Sequence, residues 1–87
     1  MTVHSPGYWM AETSGVLRPA VEAFLRNEPM SDAQVAAMRA YLRQWIVAEW
    51  FGGAELDELR GTVDGLVTKK AISAWLDRAL SIGVDPL

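Results

Sequence analysis

The 87-residue chain contains no cysteine, which excludes disulfide frameworks, thiolate nucleophiles and cysteine-ligated zinc or iron–sulfur centres. Its single histidine, His4, lies ahead of any periodic segment, a poor foundation for acid–base catalysis or metal ligation. Nowhere do eighteen apolar residues run together, and MTVHSPGYWM lacks a basic stretch followed by an apolar one, so neither a membrane span nor an export signal is expected. A phosphate-cradling loop is missing too. Gly52-Gly53 is followed by Ala54-Glu55-Leu56, without a P-loop lysine or a dinucleotide-binding spacing. Ser5, Ser14, Ser31, Ser73 and Ser81 have no histidine partner and no nucleophile-elbow pattern. The expectation is a protein that is not an enzyme and uses no cofactor and no metal.

Basic charge is also scarce. Eight Lys plus Arg against eleven Asp plus Glu leave a net charge of -3, which disfavours nucleic acid as a partner because such domains usually present a basic face. Nor are the acids dense enough to mimic a nucleic acid. Only Glu55, Asp57 and Glu58 come close together, and acids at a helix start have an ordinary explanation in the helix dipole. What the chain does have is apolar material. Hydrophobic residues make up 51% and four are tryptophan, enough to build one small core, since each aromatic buries roughly 150–250 Å². With cysteine absent and no export signal, the expected address is cytoplasmic.

The pattern predicts an all-α fold, a compact bundle of about four helices forming a single domain over 1–87, with an irregular N-terminal arm over 1–13. Pro6-Gly7 punctuates that arm, and Tyr8, Trp9 and Met10 follow. The first helix is expected over about 15–27, on the stripe Leu17, Val21, Phe24, Leu25. Pro19 must sit in its first turn, and Pro29 marks its end. The second, over about 32–51, opens on the capping box Ser31-Asp32-Ala33-Gln34 with Met30 and Val35 as a hydrophobic staple, and Gly52-Gly53 stops it. A third helix, over about 54–66, carries Gly61 and Gly65. These either admit a close backbone neighbour or merely weaken the helix. The fourth, over about 69–82, is capped by Thr68 with Val67 and Ile72 as staple, and Gly83 closes it. Ile72, Trp75, Leu76, Ala79 and Leu80 form its stripe. Lys69 and Lys70 stand in its first turn, where the dipole disfavours cations. They are solvated there or form a basic contact for a partner.

The second helix carries an apolar surplus. In RQWIVAEWFGG, residues 43–53, Trp50 and Phe51 point about 140° and 240° away from Trp45. On a wheel anchored at Leu42, Val35, Met38, Trp45 and Ile46 fall within about 60°, and Glu49 ends this stripe, where it reaches solvent, pairs with Arg18 or Arg78, or stands as a buried functional carboxylate. Ala36, Ala40, Val47 and Phe51 lie about 120–180° away, with Trp50 between at about 80° and Arg39 and Arg43 along a narrow polar edge. Either the fold covers both faces, or the reverse face belongs to a partner, because exposed aromatic clusters mark interaction surfaces. The candidate partner-binding residues are therefore Tyr8, Trp9, Trp50, Phe51, Arg39 and Arg43.

The stretches MRAYLRQWI and AISAWLDRALSIGVDPL, residues 38–46 and 71–87, resemble parts of small uncharacterised helical proteins carried by phages and mobile elements. The resemblance implies a protein that acts by binding host machinery, as anti-CRISPR proteins do. It transfers no site residue. The leading expectation is accordingly a non-enzymatic protein-binding module, an inhibitor or adaptor, with a protein partner and an optional homodimer. Two alternatives stand beside it. One is a small nucleic-acid-associated protein using Arg39, Arg43, Lys69 and Lys70, which requires these four to converge. The other is an enzyme built on carboxylates alone.

Overall fold

The computed structural model describes residues 15–48 and 53–87. The described residues form an all-α bundle of four helices: α1 over Leu17–Leu25, α2 over Asp32–Ala48, α3 over Ala54–Thr62 and α4 over Lys69–Ser81, with a 3-10 turn over Val63–Gly65 between the last two. The expected arm over 1–13 lies outside the described residues, as does the expected end of α2 at 49–52.

α2 is the central element. α1 packs along one side of it, and α3 and the 3-10 turn against another. Val35, Met38, Leu42, Trp45 and Ile46 are buried as the wheel predicts, and Tyr41 joins them. The reverse face differs from this over its described part, where Ala36 is half-buried and Ala40 exposed. The core takes Leu17 and Val21 from α1, and Leu56, Leu59, Val63 and Leu66 from the third segment. Ile72, Trp75, Leu76 and Ala79 complete it from α4. No described helix is long and apolar enough to cross a membrane.

Local chemistry sets the boundaries. At the start of α2 the Ser31 amide donates to Gln34 Oε1 at 2.9 Å, and the Gln34 amide donates to Ser31 Oγ at 3.1 Å. This is the reciprocal pairing of a capping box. At α4 the Ala71 amide donates to Thr68 Oγ1 at 3.1 Å. Both α1 and α4 end in the same way. The Glu28 amide reaches back to Ala23 O at 2.8 Å and the Asn27 amide to Phe24 O at 3.1 Å, while Val84 and Gly83 repeat this on Ala79 O and Leu80 O at 3.0 Å each. This pattern needs a left-handed residue at the turn. Asn27 supplies it at φ 56 and Gly83 at φ 90. The first helix thus stops at a left-handed Asn27, two residues before Pro29.

Several expectations need correction. The third helix does not continue to 66. It tightens into the 3-10 turn after Thr62, whose hydroxyl donates back to Glu58 O at 3.0 Å. Of the two readings of Gly61 and Gly65 the close neighbour falls away, since a Cβ built on either meets nothing within 4 Å, and the early end of α3 at Thr62 agrees with the other. Val67 is 65% exposed and staples nothing, because the extended Thr68 that follows, at φ -136 and ψ 157, turns it outward. Leu25 and Leu80 stand 58% and 54% exposed, although each belongs to a predicted apolar stripe. The reason is shared. Each lies eight residues after the first member of its stripe, about 80° around the helix from it, and Ala20, Val21 and Ala23, or Trp75, Leu76 and Ala79, already fill the core side.

Candidate protein-binding groove

The two displaced leucines line one cavity. Leu25 on α1 and Leu80 on α4 flank a surface cavity of about 540 Å³ whose walls also include Phe24, Leu76, Asp77, Asp85 and Leu87. Phe24 and Ser73 line in addition a neighbouring hollow of about 460 Å³, together with Asn27, Lys69 and Lys70. The two form one groove along the α1–α4 seam, apolar at its centre. Cations stand at one end, and Asp77 and Asp85 at the other.

The groove exists because α1 and α4 are held apart yet pinned at one end. Lys69 Nζ donates to Asn27 Oδ1 and to Glu28 O, both at 2.9 Å, so a lysine that opposes the dipole of its own helix satisfies the end of another. At the far end the C-terminal segment folds in. Pro86 is fully buried, and its carbonyl accepts from Tyr41 Oη at 2.8 Å. Behind the groove, Trp75 Nε1 donates to Leu59 O at 3.1 Å, which fixes α4 on the end of α3 and presents the outer side of α4 to solvent.

Tyr8, Trp9, Trp50 and Phe51 lie outside the described residues, together with His4 and Glu49. Arg39 and Arg43 do not border the groove. Arg39 Nη1 donates to Leu66 O at 3.1 Å, and Arg43 Nε pairs with Asp64 Oδ1 at 3.1 Å, so both tie α2 to the segment before α4. The four cations of the nucleic-acid alternative are thus divided. Two serve residues 64–66, Lys69 serves residues 27–28, and Lys70 remains exposed. Among the acids, Asp57 pairs with Arg60 at 3.0 Å and Glu58 with Arg78 at 3.6 Å. No three described acid or histidine side chains come together to hold a metal ion.

Sequence reasoning placed Leu25 and Leu80 on apolar stripes and so missed the groove. The available signal was their position at the edge of each stripe, with two apolar edges left over. No known protein family model, curated protein or solved structure matches the chain.

Proposed function

We propose that the chain is a non-enzymatic protein-binding module, a small inhibitor or adaptor of the cytoplasm, that seats an apolar segment of its partner in the α1–α4 groove. The observation that carries this is the pair Leu25 and Leu80, each more than half exposed on opposite walls of one cavity. Paired apolar rims around a concave floor, with polar ends, are the usual anatomy of a groove that receives a helix or an extended peptide. The internal use of Arg39, Arg43 and Lys69 weighs against nucleic acid as the partner.

The test is affinity capture from cells of the native host with wild type, Leu25→Asp and Leu80→Asp. Both variants should keep their helical circular dichroism, because the replaced side chains already face water, and both should lose the captured protein. Identical captured sets from all three would refute the groove as the binding surface.

A further inference from the structure

The α4 wall of the groove carries its charges in a self-complementary order. Lys70 and Asp77 are seven residues apart on α4, which places them about 10.5 Å apart along the axis and about 20° apart around it. Both are exposed, and neither engages another described side chain. Between them stand only Ser73 and Ala74, small enough to let a second helix approach. Lys69 and Arg78 flank this strip on opposite sides and are already held by Asn27 and Glu28, and by Glu58. Cation first and anion second also runs against the dipole of α4, and nothing among the described residues calls for that order at Lys70 and Asp77.

The pair Lys70 and Asp77 has the same midpoint as the pair Ser73 and Ala74. A two-fold axis through that midpoint lays a second α4 antiparallel on the first, small residues at the centre, with Lys70 of each copy opposite Asp77 of the other. We infer that this outer strip of α4 accepts a second copy of the chain, in an isologous dimer closed by two Lys70–Asp77 pairs. This rests on the protein-binding function proposed above and adds a second copy of the chain, on the outer strip of α4, to the partner seated in the groove.

The test is sedimentation equilibrium of the full chain over a concentration series. Wild type should show a reversible monomer–dimer equilibrium that weakens with salt. Lys70→Glu and Asp77→Lys should each remain helical and raise the dissociation constant about tenfold or more, because symmetry makes one substitution turn both attractive pairs repulsive. An equimolar mixture of the two variants should recover the dimer, since both pairs are then of opposite charge, a result that misfolding cannot produce. A monomeric wild type at its highest soluble concentration overturns the inference, as does a dimer that neither variant weakens or a mixture that does not recover. If wild type is monomeric yet captures a host protein in a Leu25- and Leu80-dependent way, the dimer fails and the groove stands. If it neither dimerises nor captures, both fail.

Discussion

Trp75 tests the packing of α4 on the rest of the bundle most directly, because its ring and its N–H do separable work. The side chain is 5% exposed, and its N–H donates to Leu59 O, a carbonyl that also accepts from the Val63 amide and from Thr62 Oγ1. Removing the indole N–H therefore strands no buried acceptor, and the loss should be that of one net hydrogen bond, about 1 kcal/mol. Trp75→Phe also gives up part of the ring, roughly another 1 kcal/mol, for a total near 2 kcal/mol and a fall in melting temperature of about 8–16 °C. Trp75→Ala should cost about 3–5 kcal/mol, which approaches the whole stability of a small domain, about 5 kcal/mol. Urea titration followed by far-ultraviolet circular dichroism measures both, without relying on the fluorescence being altered. A folded Trp75→Ala protein melting within a few degrees of wild type would show that the α4 stripe does not face the core. Equal losses from Phe and Ala would show that the hydrogen bond, and not the ring, holds the helix.

Three further outcomes are expected. Gly61→Ala should stabilise by about 0.5–1 kcal/mol, because the residue sits in helical backbone with open space around it and alanine reduces the freedom of the unfolded chain; an unchanged or lower urea midpoint would mean that something does approach this position. Tyr41→Phe should cost about 1–3 kcal/mol by leaving the Pro86 carbonyl without its donor in a buried setting, and a carbonyl already hydrated would show itself as no change in thermal melting. Ser31→Ala should cost about 1 kcal/mol and speed hydrogen exchange at the Gln34 amide, whereas unaltered exchange there would deny the capping box.

Features set by a few adjacent residues were legible in the sequence. The Ser31–Gln34 box, the Thr68 cap, the Gly83 terminus and the central stripe of α4 all depend on contacts within about one turn, and each stands where the pattern puts it. Contacts between distant residues were not legible. Lys69 bonds residues 41 and 42 positions away, and no local rule distinguishes a clamping lysine from a solvated one. The groove escaped notice for a related reason. Periodicity assigns Leu25 and Leu80 to apolar faces, but how much of a face is covered depends on where neighbouring helices stop. The left-handed Asn27 is intermediate: asparagine tolerates that conformation, yet Pro29 offered a nearer explanation for the same helix end.

The bond between Tyr41 and Pro86 spans 45 positions, and this has a consequence during synthesis. At translation speeds of 5–20 residues per second, about 2–9 s separate the addition of the two residues. From the addition of Ile46 onward the nascent chain holds Met38, Leu42 and Ile46, side chains that end with no solvent exposure, while α3, α4 and the C-terminal segment that complete the core around them are still being made. The core of α2 is therefore completed only after residue 86 has been added, and until then these apolar side chains, once clear of the ribosome, are available to a chaperone. Slowing elongation anywhere between codons 47 and 86 lengthens that window without altering one contact of the finished protein.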